Sequence, residues 1–210
     1  LASSHFEIRD YENAGKLYYE ISTNNAANLN VENLRDYAVC LGHMGRLDEA
    51  AAVFVMLTDK GATADVTDYV LGESYYAKGD YVNAETSFQN SLSKTEDTSL
   101  IRRIYMSLAE VYRESNDYNK SIEIIEEAVS RSLQFQSSSA VLYEMLGASY
   151  YAKAANEGDK NDYAKAATYF ENVIDLGITN SYLYVNAYTA YIEAEDYIKA
   201  KQILADMETV

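Results

Sequence analysis

Proline and tryptophan are absent, cysteine occurs once and histidine twice, and only 17 Lys and Arg stand against 33 Asp and Glu in 210 residues. With Cys40 alone, no intrachain disulfide forms, and neither an oxidising nor a reducing compartment is indicated. Cys40 lies among Tyr37, Ala38, Val39 and Leu41. Neither His5 nor His43 is placed by the sequence to activate it, so it reads as a buried structural thiol rather than a nucleophile. The net charge of -16 repels a phosphate backbone, which is held by clustered Lys and Arg, so nucleic acid is not expected as a ligand. No apolar run reaches the ~18 residues of a membrane-spanning helix, and no basic-then-apolar signal segment opens the chain.

Catalytic signatures are missing too: there is no glycine-rich phosphate loop, no Gly-x-Ser-x-Gly elbow, no His-Glu-x-x-His and no cysteine pair at metal spacing. Neither catalysis nor a cofactor is expected. Carboxylates are plentiful, but runs such as Glu123, Glu126 and Glu127 read as a solvated acidic helix face, not as a paired acid/base site.

What is abundant is tyrosine, with 21 copies in a chain that is 48% apolar and 24% charged. That balance is of a soluble globular protein with a real core. So many rings with a polar tip imply a slot that recurs. The slot belongs to a phrase that returns six times: Tyr11-x-x-Ala14-x-x-x-Tyr18, Leu47-x-x-Ala50-x-x-x-Phe54, Tyr81-x-x-Ala84-x-x-x-Phe88, Tyr118-x-x-Ser121-x-x-x-Ile125, Tyr163-x-x-Ala166-x-x-x-Phe170 and Tyr197-x-x-Ala200-x-x-x-Leu204. Spacings of three and four place each set on one helix face, where the small residue lets a second helix approach and the larger one fills the groove. A second phrase precedes it, as in Leu71-Gly72-x-x-Tyr75, Leu108-Ala109-x-x-Tyr112 and Leu146-Gly147-x-x-Tyr150. Between the two lie turns such as Met44-Gly45-Arg46 and Lys78-Gly79-Asp80, where a glycine lets a helix end left-handed; Ser115-Asn116-Asp117 and Glu195-Asp196 take that place in later repeats.

The period, the Leu-Gly-x-x-Tyr of a first helix, the Gly-Asp-Tyr of the turn and the Ala with Phe of a second helix resemble the tetratricopeptide repeat family, over almost the whole chain. The family's usual proline near the repeat end is missing here. The resemblance implies an all-α, right-handed α-α superhelix, a single solenoid domain over 1–210 of about five and a half helix-turn-helix repeats. Their expected limits are 1–29 (partial), 31–63, 65–98, 102–137, 140–178 with an insertion, and 181–210. The partial first repeat and the start at Leu1 are read as a piece of a longer, bacterial polypeptide from which a signal peptide, lipid anchor or upstream domain was removed. Localisation stays open between cytoplasm and cell surface. The insertion holds Asp159, Asn161 and Asp162, but it lacks the alternating ligands and closing bidentate Glu of a calcium loop, so no metal is expected.

In proteins of this kind the first helices line a concave face that holds extended peptides. Counting along them gives Glu32, Arg35, Val39, His43, Val66, Tyr69, Glu73, Tyr76, Arg103, Met106, Glu110, Arg113, Glu114, Val141, Glu144, Ala148, Tyr151, Tyr182, Val185, Thr189 and Ile192 as inward-facing. Of these, Tyr69, Glu73, Tyr76, Arg103, Met106, Glu110, Arg113, Glu144, Tyr151 and Tyr182 are the candidate ligand-binding residues, with the tyrosines read as exposed anchors. The family's carboxylate clamp is absent, because its Asn slots carry Val39, Glu73, Glu110 and Ala148. A protein or peptide with apolar anchors and some positive charge is the expected partner. Self-association through the exposed ends, or a sensor role within a larger protein, are the alternatives. Cys40 should react only slowly with a thiol reagent in the folded protein; rapid modification would contradict the buried reading.

Overall fold

A computed structural model describes residues 1–132, 139–178 and 180–208, and among them the chain forms twelve α-helices and no strand. They alternate as first and second helices of six hairpins: α1 (Ala2–Glu7) and α2 (Tyr11–Asn25), α3 (Val31–His43) and α4 (Leu47–Asp59), α5 (Ala64–Lys78) and α6 (Tyr81–Lys94), α7 (Thr98–Glu114) and α8 (Tyr118–Ser132), α9 (Ser139–Glu157) and α10 (Lys160–Asp175), α11 (Ser181–Glu193) and α12 (Tyr197–Met207). The all-α helical repeat expected from the sequence is therefore what folds. The expected end of the fourth repeat near 137, and residue 210, lie outside the described residues. Two compact units are present, Leu1–Ser107 and Leu108–Val210, and the division falls inside α7.

Each hairpin is built from the same local devices. Arg9, Gly45, Gly79, Asn116 and Glu195, equivalent positions in five repeats, all adopt φ of 60 to 82°, the left-handed conformation that reverses the chain between paired helices. The residue after that position caps the second helix in four of them. Asp10, Asp80, Asp117 and Asp196 accept from the backbone N–H three residues on, at 3.4, 3.3, 3.2 and 3.1 Å, which satisfies an orphan donor and places a negative charge at the helix start.

The fifth hairpin departs from this pattern for a physical reason. Its insertion starts α10 at Lys160, with Asp159 as the cap accepting from Asn161 N at 2.8 Å. Asp162, the equivalent of the other capping aspartates, is thereby moved inside the helix and is only 2% exposed. Burial alone would raise its carboxyl pKa, but Lys165 at 2.8 Å and Lys153 at 3.1 Å outweigh that and hold it below the usual range. Two of the three residues that the sequence offers to a cation are thus a cap and a doubly paired counter-ion.

Packing follows the small residues. In unit Leu1–Ser107, α3 packs on α2, α4 and α5, and at Gly42 the contact is so close that a Cβ would lie 2.4 Å from the Ser74 carbonyl oxygen on α5. Within hairpins the gap at Gly72 is filled by the Phe88 ring and, in unit Leu108–Val210, that at Gly147 by the Phe170 ring, with 2.6 and 2.7 Å to an added Cβ. Of the tyrosines in recurring slots, Tyr105, Tyr112, Tyr150, Tyr184 and Tyr191 are buried. Adding one methyl at Gly42 should cost roughly 1–3 kcal/mol of overpacking, because a backbone carbonyl has no rotamer to yield. Gly42→Ala should therefore melt several degrees lower, as should Gly72→Leu and Gly147→Leu; unchanged melting of all three would contradict the packing.

Candidate functional site

In unit Leu1–Ser107 the first-helix face around Tyr69 and Glu73 is filled by its own side chains, while a cavity of about 590 Å³ lies beside Tyr11 and His43. Tyr69 was expected to be exposed, but it is 4% exposed: its ring lies 5.5 Å from that of Phe88 and under the Arg103 guanidinium at 4.6 Å. Its hydroxyl donates to Glu73 Oε1 at 2.8 Å and lies 3.4 Å from Ser107 Oγ. Glu73 is flanked by Arg35 Nε at 3.8 Å and Arg103 Nη2 at 3.9 Å. Arg35 also reaches Asp36 at 3.5 Å, whose other oxygen accepts from the Tyr18 hydroxyl at 3.2 Å. The polar network thus runs across α2, α3, α5 and α7. Within it, Arg35 Nε and Glu73 Oε2 are buried without a hydrogen-bond partner.

Burial pushes the carboxyls of both Glu73 and Asp36 above the ordinary carboxylate range, with Arg35 the strongest opposing influence on each. The Tyr69 hydroxyl is driven up to about 12 by burial and by the Glu73 charge. Nearby, Cys40 is fully buried on α3 and burial pushes its thiol up to about 12, which leaves little thiolate at neutral pH. Met106 and Tyr76 are half-buried; the Tyr76 ring tilts against Tyr81 at 6.0 Å.

In unit Leu108–Val210 the same face is open. A pocket of about 380 Å³ is lined by Arg113 of α7, Ala148, Tyr151 and Ala152 of α9, Phe170 of α10, and Asn186 and Thr189 of α11. Arg113 is held by Glu110 and by Glu114, the latter at 3.2 Å. The Tyr151 ring meets that of Tyr163 edge-on at 5.1 Å, while Thr189 Oγ donates back to the Val185 carbonyl at 2.8 Å. The Asn186 carboxamide and the Tyr151 hydroxyl are the polar tips left without a hydrogen bond among the described residues. Beside the pocket, Tyr182 bridges α11 to α9 by donating to Glu144 Oε2 at 2.9 Å.

The ten candidate residues therefore separate. Tyr69, Glu73 and Arg103 are joined to one another with Arg35, whereas Arg113 and Tyr151 share an open cavity with Glu110 beside it. Asn186, Ala152 and Phe170 were not among the candidates. Asn186 lies four residues after Tyr182 and three before Thr189, so the helical spacing of those two would have found it. Among the described residues no group of three or more His, Cys, Asp or Glu is arranged to hold a metal, and no helix is long and apolar enough to cross a membrane.

This geometry is that of the tetratricopeptide-repeat fold, a helical scaffold generally used for protein interaction, and residues 103–135 match the family model described as tetratricopeptide repeat. The C-terminal part of a repeat-containing protein of this class from Cytophaga hutchinsonii superposes with a TM-score of 0.63 at 16% identity, over 98% of this chain and 76% of that one. A tetratricopeptide repeat protein from Parabacteroides merdae gives 0.62 at 16%, over 90% and 68%. Human IFIT1, solved as a dimer with m7Gppp-AAAA, gives 0.59 at 16%, over 95% of this chain and 46% of its own. A search of curated proteins gives no match.

If Arg35 balances two buried carboxylates, removing it should destabilise by about 2 kcal/mol, less than the 3–5 of a fully buried pair. An acid with a raised folded-state pKa favours folding only while protonated; that contribution is present below its unfolded pKa and is lost as pH rises through the raised value. The stability gap between wild type and Arg35→Ala should therefore widen from about pH 4 to pH 8 in urea unfolding. A gap independent of pH would contradict this account.

Proposed function

We propose that the protein is a non-catalytic scaffold that holds an extended peptide segment of a partner protein on the first-helix face of residues 108–208. The observation carrying this reading is the open pocket between α7, α9, α10 and α11. Its volume falls in the range of specific ligand sites. Apolar walls at Ala148, Ala152 and Phe170 suit an aromatic or aliphatic anchor side chain. The unengaged Asn186 carboxamide can both donate to and accept from a peptide bond. Glu110 and Glu114 together outnumber the Arg113 they hold at the cavity wall, and Glu144 stands one turn before Ala148 on α9, so positive charge next to the anchor is favoured.

Tyr69, Glu73 and Arg103 serve in this reading as internal struts, not as ligand contacts, because their polar groups already meet one another. Human IFIT1, of the same fold, was solved with m7Gppp-AAAA. For this chain the charge of -16 and the acidic pocket rim favour protein over phosphate.

Random peptides selected on the 210-residue chain should be enriched in an aromatic or aliphatic residue beside Lys or Arg. Tyr151→Ala and Asn186→Ala should each weaken the selected peptides about tenfold, the effect of losing a moderate interface anchor. Selection of acidic peptides, or affinity indifferent to both substitutions, would overturn the proposal.

A further inference from the structure

Hairpins α5–α6 and α9–α10 match position by position. In both, a first-helix glycine is closed over by a second-helix phenylalanine, Gly72 by Phe88 and Gly147 by Phe170, with 2.6 and 2.7 Å to an added Cβ. One turn further on, Tyr76 tilts against Tyr81 at 6.0 Å; their equivalents Tyr151 and Tyr163 meet edge-on at 5.1 Å. The hairpins part company at the residue three before the glycine.

In α5 that residue is Tyr69. Its ring lies 5.5 Å from that of Phe88, its hydroxyl donates to Glu73 at 2.8 Å and lies 3.4 Å from Ser107 Oγ on the following first helix, and it is 4% exposed. It is a tyrosine docked within its own chain. In α9 the same position holds Glu144, which accepts from Tyr182 at 2.9 Å instead. The position of Glu73 holds Ala148, a methyl in place of a carboxylate, so volume is missing over Phe170 twice.

The Leu-Gly-x-x-Tyr phrase sets α9 against α5 by Gly147 and Gly72, and α11 against α7 by Tyr191 and Tyr112. In that alignment Phe88, Glu73 and Ser107, which Tyr69 meets, become Phe170, Ala148 and Asn186. All three line the cavity of about 380 Å³. Arg103, whose guanidinium covers the Tyr69 ring at 4.6 Å, becomes Tyr182, so the cation of this seat is left to the ligand.

We infer that the pocket takes a tyrosine side chain of the partner peptide, seated as Tyr69 is seated in the α5–α6 hairpin, its ring on Phe170 and its hydroxyl on the Asn186 carboxamide. This rests on the peptide-holding reading above and narrows its anchor to one side chain. A phenol hydroxyl taken out of water needs a partner. The half-buried Asn186 oxygen accepts from it, and the amide N–H groups remain for a peptide carbonyl. Phenylalanine would cover Phe170 equally but leave the carboxamide desolvated and unpaired, which is how a site built for a hydroxyl rejects the analogue lacking it.

Acetylated and amidated tripeptides Lys-Tyr-Lys, Lys-Phe-Lys and Lys-Leu-Lys, titrated into the isotope-labelled 210-residue chain, test this by nuclear magnetic resonance. The tyrosine peptide should bind about tenfold more tightly than the other two, moving the Asn186 side-chain amide signal. Asn186→Leu should erase that preference and keep the phenylalanine peptide. Glu144→Tyr should rebuild the Tyr69 arrangement inside the pocket, melt no lower than wild type and lose the tyrosine peptide. Both positions are half-buried, far-UV circular dichroism checks folding, and either variant suffices if the other misfolds. Equal binding of the three peptides, no binding of the tyrosine one, a preference that survives Asn186→Leu, or tyrosine binding that survives Glu144→Tyr each sinks the inference. If peptides selected at random still depend on Tyr151, the wider reading stands without it; if they are indifferent to Tyr151→Ala, both fall.

Discussion

Everything in this molecule depends on how closely two helices approach at a residue with little or no side chain. Gly42 lies against a backbone carbonyl of α5, Gly72 and Gly147 receive phenylalanine rings, and the alanines at 14, 50, 84, 166 and 200 are 0–1% exposed. Close approach sets the spacing between helices, and spacing decides which first-helix side chains can touch. Around Tyr69 and Glu73 they meet one another; beside Arg113 and Tyr151 they leave a cavity of about 380 Å³, and a further one of about 590 Å³ lies beside Tyr11 and His43.

The repeat, the helix pairing and the positions that pack were legible because spacings of three and four are a property of one helix and need no knowledge of its neighbours. Turn chemistry was equally local, and Asn116 and Glu195 occupy the left-handed position of Gly45 and Gly79. Burial of Tyr69 was not legible. Its position on α5 is inward-facing, but its exposure depends on Arg103 and Ser107, more than thirty residues further along the chain. The same limit hid Asn186, whose value lies in what it does not bond. The altered role of Asp162 could have been read from the insertion, since Asp159 offers an alternative cap three residues earlier.

Charge is distributed in a way that composition does not convey. Although the chain is strongly acidic, Arg35 on α3 and Arg103 and Arg113 on α7 are each placed against carboxylates. Part of the acidity near these faces is therefore offset in place by guanidinium groups. A desolvated carboxylate beside a guanidinium keeps its charge at neutral pH only through that neighbour, so the arginines set the ionisation of the network as well as its geometry.

The contact between Gly42 and the Ser74 carbonyl also has a mechanical meaning. A backbone oxygen has no rotamers, so the distance between α3 and α5 at that point takes a single value, and close-packed interiors compress little. The rings of Tyr151 and Tyr163, by contrast, can tilt against each other as a bound group presses on them. Displacement applied to α3 is passed on to α5 nearly whole, as through a rigid coupling, whereas displacement at the pocket is absorbed by ring rotation, as in a damper.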